Sequence, residues 1–459
     1  MQLFTNNAKT KLAAAMSLGT VSFGVTTGHG ALFPQPETPL DYFFVRLGTD
    51  TVNEVVRCTG RVGDEVFCEP LASAWSADTP VELTLNMQML HQFPQVIDTD
   101  TTVTVDPSGA AHFTTITAAL AALERCFIVN NAVVTLSISG KHTISTPVTD
   151  AKLLSAGRVK LQGAFNGEKS VTGVASSSGS AGVWSVVLNL ASVAGIAVGD
   201  YLYVRNAADG TNPNALVGCH RVSAVGGSTV TIASKHKTAV PSGAVTATVR
   251  LIKTVITCNE CNGIDLCNGG FAGISDLVFA FSGAMDRAGL SVDYGADERY
   301  QRGGKAQIGN GAVTLYTGIV GFSNGVVVGS GATLIVDYGL TVSGCATGIV
   351  VDNGAADLQT VSVTGCDKGL HVEMGRVTAP GIKVYGCTDG AVASRAGNIR
   401  FSYFAETGDA IIDGCTLGLT ASHYGYISAT DVTFNANTTN ASPAVDTVGN
   451  VGGYIDTVA

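Results

Sequence analysis

Charge is scarce in this sequence. Asp, Glu, Lys and Arg make up 14% of 459 residues, about half the usual share. So little charge cannot clothe many solvated helices. Basic residues number 26 against 36 acidic ones, a net charge of −10. With no cationic excess to neutralise phosphates, nucleic acid is excluded as a partner. Mean hydropathy is positive at +0.30, yet no run of about 18 apolar residues occurs, so no membrane-inserting helix is expected. Walker and HExxH signatures are absent. No cofactor and no metal are expected. Eleven cysteines are an odd number and too dilute for a secreted disulfide scaffold. They read as reduced thiols of a protein made in a cytoplasm. At the start, "AKTKLAAAMSLGTVSFGV" mimics a secretory leader. However, Ser17, Gly19, Thr20, Ser22 and Gly24 interrupt its apolar core, and "GTVSFGVT" alternates like a strand.

What is abundant is glycine, at 56 residues. Part of it is periodic. "VSGCATGI" from 342 returns as "VTGCDKGL" from 363, "VYGCTDGA" from 384 and "IDGCTLGL" from 412, with a degenerate copy, "IVGFSNGV", from 319. The recurring glycines are Gly321, Gly344, Gly365, Gly386 and Gly414. A period in the twenties marks a solenoid. Within each copy the pattern has period 2. Leu340, Val361, Ile382 and Ala410 form one column, and Val342, Val363, Val384 and Ile412 a second. Period 2 means strand, which excludes helical solenoids. The fold expected is all-β: a right-handed, single-stranded parallel β-helix whose corners are turned by the glycines. Inward columns then stack as ladders, and Cys345, Cys366, Cys387 and Cys415 form one, preceded by Phe322. Asn259 and Asn435 are expected in the same column, as corner amides. Packing accounts for these thiols better than catalysis does. "CNECNGIDLC" carries Cys258, Cys261 and Cys267 at a ligand-like spacing, but no second CxxC or HxxxH follows. The longest step between glycines leaves extra residues near "NIRFSYFAETGD", expected as a surface loop.

"VDPSGAAHFTTITAALAALERC" shows a strand, a turn and a short helix with Ile116, Leu120, Leu123 and Phe127 on one stripe. Such a helix can cover the first open coil. A longer-range echo also exists. "DYFFVRL" from 41 matches "DYLYVRN" from 200, and "VRCTGRVGDEVFCE" from 56 matches "HRVSAVGGSTVTIA" from 220. Both pairs read as an aromatic strand followed by a hairpin. The expected organisation is an N-terminal β module over 1–93 and the β-helix cap and first coils over 94–180. An inserted antiparallel β module follows over 181–254, and further coils run over 255–459.

The stretch around "FTTITAA" resembles the opening of pectin-lyase-like β-helix proteins. "LFTNNA", "ALFP" and "DYFFVRL" resemble the N-terminal attachment region of bacteriophage tail fibres, and 195–254 is similar to the β insertion of β-helix tail proteins. The resemblance implies a homotrimeric virion tail component, a tail fibre or tailspike. The N-terminal module would dock on a tail or baseplate protein, and the β-helix would contact host cell-surface polysaccharide. Many tailspikes carry a further trimerisation domain after the last coil, whereas this sequence stops at "GGYIDTVA". Such proteins are adhesins or glycan depolymerases, either hydrolases or lyases, and the residues here favour the adhesin. Asp352 and Glu373 fall at equivalent positions of adjacent coils, an arrangement open to retaining glycosidase chemistry. The residue types suited to holding a glycan are Tyr294, Asp297, Arg299, Tyr300, His371 and Tyr385. A secreted bacterial adhesin is a third reading, which requires N-terminal cleavage. His220, His236 and His423 stand at no motif spacing.

Overall fold

The computed structural model describes residues 8–36, 42–49, 51–83, 95–208, 216–237, 239–267, 270–284, 286–292, 305–308, 317–336, 339–401, 410–442 and 452–456. The chain forms two compact units, 1–95 and 96–459.

The first unit holds six short strands: β1 Lys9–Lys11, β2 Ser22–Gly24, β3 Phe43–Gly48, β4 Asn53–Val62, β5 Glu65–Cys68 and β6 Pro80–Glu82. They pair antiparallel in the order β1-β6-β3-β4-β5-β2. A single bridge, Leu12 to Val25, joins the two edges, so the sheet curls almost into a barrel. Alternation does the work: Phe43, Val45, Leu47, Val56, Cys58, Val66 and Val81 point inward and are buried. The residues "SFG" that argued against a leader are β2, paired to β5.

The second unit is a parallel β-helix. Two of its faces are nine-stranded parallel sheets. The third runs as a four-stranded and then a seven-stranded sheet. One coil visits the three faces in turn: Val361–Thr364, Lys368–Glu373, Arg376–Thr378. Directly above it come Lys383–Tyr385, Asp389–Ser394 and Asn398–Arg400. The registers are those the repeat implied: Val342 stands over Val363, Val363 over Val384, Val384 over Ile412. One continuous apolar core fills the bore, from Val105 to Ile455. Helix α1, Ile116–Leu123, closes the first coil with Ile116, Ala119, Leu120 and Leu123. Thr115 caps it, accepting from the Ala118 amide. Phe127 does not extend the helical stripe: it lies on the strand Cys126–Ile128 and is 43% exposed.

The corner glycines adopt left-handed backbone, with φ from 57° at Gly386 to 79° at Gly321. The cysteines that follow are buried, each thiol donating to the carbonyl two residues back, Cys366 to Thr364 for example. Burial holds the Cys387 thiol well above its ordinary pKa, as befits packing residues. Both asparagines expected in this column are misplaced. Asp413 pairs with Asn435 on the strand, so the corner falls at Ala436, φ 48°. Asn437 then takes the ladder position, its amide accepting from the Cys415 N–H and donating to the Ile412 carbonyl. At the other end the corner is Glu260, φ 54°, and buried Cys261 follows it, whereas Asn259 is exposed. Each error is two residues: Val255–Asn259 runs past the usual corner position, while at the other end Ala436 keeps the corner opposite Gly414 without a glycine to mark it.

Between Gly163 and Val255 the chain leaves the solenoid to build a closed antiparallel barrel. Its strands are β7 Phe165–Ser180, β8 Val183–Leu190, β9 Tyr201–Ala208, β10 Gly218–Val225, β11 Thr229–Ser234 and β12 Thr246–Ile252. The insertion therefore begins at 165. The Ser- and Gly-rich 165–180 reads locally as loop or coil, but as β7 it pairs with both β8 and β12.

Candidate functional site

The barrel decides which surface of the solenoid is free. Tyr203 donates its hydroxyl to the Gly339 carbonyl at 3.2 Å, and the Cys219 amide donates to Ser343 Oγ at 3.0 Å. Lys237 donates its amide to the Gly386 carbonyl and forms a 2.7 Å ion pair with Asp367. Beneath these contacts Thr341, Ser343, Ser362 and Thr364, the outward residues of the first face, are buried. The close fit needs glycine: a Cβ on Gly365 would stand 2.4 Å from the Lys235 backbone.

Two histidines without motif spacing meet in this joint. The His220 and His236 rings lie 5.9 Å apart and both are buried. Their Nε2 atoms face the carbonyls of Leu216 and Val217 at 2.8 and 2.9 Å. Burial pushes His236 down to about 3, with His220 adding to the effect. Burial likewise lowers His220. Both are held neutral by the packing.

The second and third faces and the corner between them keep exposed residues along their length. Asp352 and Glu373 do stand in register on adjacent coils of the second face. Glu373 is well partnered. Oε2 takes a 3.2 Å ion pair from Arg395, while Oε1 lies 3.4 Å from His371 Nε2 and 3.5 Å from Ser394 Oγ. His371 is half-buried and its pKa is lowered, first by burial and then by Lys368. Asp352 is exposed. These side chains form one polar patch: acid, base and hydroxyl at the end of the second face.

Not every candidate joins it. Tyr385 lies in the first-face sheet and is 2% exposed, so it has no surface to offer a ligand. Tyr294, Asp297, Arg299 and Tyr300 lie outside the described residues. In the same segment, Asp286 accepts from Ser323 and Arg287 donates to the Glu260 carbonyl. Cys258 and Cys261 are buried within coils, and among the described residues no cluster of His, Cys, Asp and Glu could hold a metal. His423 sits exposed in a left-handed turn, φ 50°, beside exposed Tyr424. Sequence reading passed over Tyr424 and Met374. The signal available was their register: "NG", "MG", "RAG" and "HYG" end the second-face strands of successive coils.

No family model and no curated protein matches the chain. Solved structures do. The complex of XylC with xylose is 10% identical, covering 72% of this chain and 69% of its own, at a TM-score of 0.22. The tailspike gp61 of Pseudomonas phage phi297 is 13% identical over 68% and 80%, at 0.18. The Gp54 tailspike of Acinetobacter baumannii bacteriophage AP22, solved with A. baumannii capsular saccharide, is 10% identical over 67% and 71%, at 0.18. The fold assignment itself rests on the strand pairing described above. Among the described residues no helix is long and apolar enough to cross a membrane.

Proposed function

We propose that this chain is a virion tail component, a tail fibre or tailspike, whose β-helix adheres to host cell-surface polysaccharide. One observation carries the reading. The inserted barrel covers the middle coils of the first face, whereas the second face and its end carry an open polar strip there, with Asp352, His371, Glu373 and Arg395 side by side. Many shallow contacts on such a strip, multiplied over the subunits of a homotrimer, give useful avidity from weak single affinities. The motifs "LFTNNA" and "ALFP" support docking of the N-terminal module on a tail or baseplate protein, within a virion assembled in a host cytoplasm.

Adhesion is favoured over depolymerisation because both oxygens of Glu373 already have protein partners. The test is to incubate purified protein with bacterial O-polysaccharides and capsular polysaccharides, reading binding and reducing ends together. Binding without new reducing ends fits the adhesin. New reducing ends that vanish in Asp352→Asn or Glu373→Gln establish the depolymerase, and no binding to any polysaccharide removes the proposal. Light scattering reads the trimer directly.

A further inference from the structure

The corner between the second and third faces is turned, coil after coil, through left-handed backbone. Asn353 has φ 51°, Met374 49°, Arg395 49° with Ala396 at 65°, and His423 50° with Tyr424 at 65°. Positive φ is uncommon outside glycine, and here it recurs on four successive coils. The turns are stitched together: the Asn353 amide donates to the Glu373 carbonyl, and the Ala396 amide to the His423 carbonyl. Large side chains stand outward on them. Met374 is 53% exposed and Tyr424 79%, and the Arg395 side chain is 67% exposed. The Tyr424 ring rests against Gly452, where an added Cβ would meet its Cδ1 at 2.9 Å and its Cε1 at 3.0 Å, so Gly452 backs that side of a ring that otherwise stands in solvent. Beside it Tyr426 and Tyr454 stack at 6.0 Å and 23°, and the Tyr426 hydroxyl donates to Asp456.

We propose that this column of turns is a saccharide-binding ridge, with Tyr424 the platform on which one sugar ring stacks. The inference deepens the polysaccharide-binding reading and rests on it. Three features fit an extended glycan lying along the solenoid axis. Coils advance about 4.8 Å, close to the advance of one pyranose along an extended chain, so each turn meets one sugar. A tyrosine as exposed as Tyr424 offers apolar area with a polar rim, which matches the C–H face of a pyranose. Arg395, one coil back, and its partner Glu373, two coils back, supply a planar donor fork and an acceptor for hydroxyls. The occupant is therefore a glycan segment of about four sugars, one for each of the four turns, at the coil spacing given above.

The experiment uses the full chain against immobilised, delipidated bacterial O-polysaccharides and capsular polysaccharides, then against graded oligomers of the one that binds. Tyr424→Asn keeps a residue suited to left-handed backbone and removes the ring. Affinity should fall at least tenfold in Tyr424→Asn, stay within twofold in Tyr424→Phe, and fall severalfold in Met374→Ala. Melting temperature and oligomeric mass should not change. Affinity should rise with oligomer length up to about four sugars, one per coil, and then level. Binding by the parent that Tyr424→Asn leaves intact overturns the ridge and spares the polysaccharide reading. A changed oligomeric mass in Tyr424→Asn makes the ridge a subunit contact and also overturns it. No binding by the parent to any polysaccharide removes both.

Discussion

The N-terminal module and the inserted barrel are the same figure drawn twice. Adding six to each label turns the ring β1-β6-β3-β4-β5-β2 into β7-β12-β9-β10-β11-β8, which is the order of the closed barrel. Their outer faces differ. On the first module that face carries ion pairs, Lys9 and Arg46 on Glu82, and Arg57 on Glu69 with its guanidinium 4.4 Å over the Tyr42 ring. On the barrel, the corresponding strand offers Tyr201 and Tyr203, which pack with Cys219, Ile252, Val255 and Val278 against the solenoid. Topology is thus set by the alternating inward residues, whereas the outward residues decide whether a module stays solvated or is built into something larger.

The sharpest way to break the comparison is at two glycines of like φ. Gly365, φ 63°, lies under the barrel with the Lys235 backbone 2.4 Å from any added Cβ, while Gly63, φ 59°, turns the β4–β5 hairpin with nothing within 4 Å. Gly365→Ala should cost about 3–5 kcal/mol, adding a backbone clash to left-handed strain. Gly63→Ala should cost only about 1 kcal/mol. Chemical denaturation of each variant reads the difference.

Acid should distinguish the two modules next. His236 is lowered from 6.5 to about 3, so between those values the unfolded chain binds the extra proton. Stability is complete above about pH 6.5 and falls toward pH 3 by roughly 1.4 kcal/mol per pH unit for this one histidine. Facing it are His220, the flanking Lys235 and Lys237, and Asp367 paired to Lys237. Hydrogen exchange from pH 7 to 5 should therefore show the barrel–solenoid joint loosening before the β3–β4 hairpin does. His236→Gln should flatten that dependence.

A smaller effect is expected from Tyr203→Phe, which removes the bond to the Gly339 carbonyl at 3.2 Å and should cost about 1 kcal/mol. The smallest is Arg57→Ala on the first module. Its pair with Glu69 is substantially exposed, at 37% and 56%, and its loss should shift stability by less than about 1 kcal/mol. Equal losses in these two variants would mean that the barrel's outer face is no more committed than the module's.

The solenoid was legible because its signal is repeated. One misread residue among four copies of "GC…G" and a degenerate fifth does not hide a period, and Val342, Val363, Val384 and Ile412 stack as the spacing demanded. Where repetition lapsed, register slipped by two residues, at Asn259 and Asn435. The start of β7 was hidden because Ser and Gly carry no alternation that a reader can count. The candidate site was legible only in part. Asp352 and Glu373 share a coil position and so could be placed, but the partners of Glu373 and the exposure of Tyr424 could not.

By itself, the sequence determined period, strand and corner: alternation picks the buried side of a strand, and a small residue able to take positive φ picks the turn. Tertiary structure decided which of three chemically similar faces would see solvent. That choice depends on where a barrel inserted between Gly163 and Val255 comes to rest, and it brings Lys235 and His236 against glycines more than a hundred residues away. No local pattern encodes a contact of that range, because its energy comes from surfaces fitting one another after both have folded.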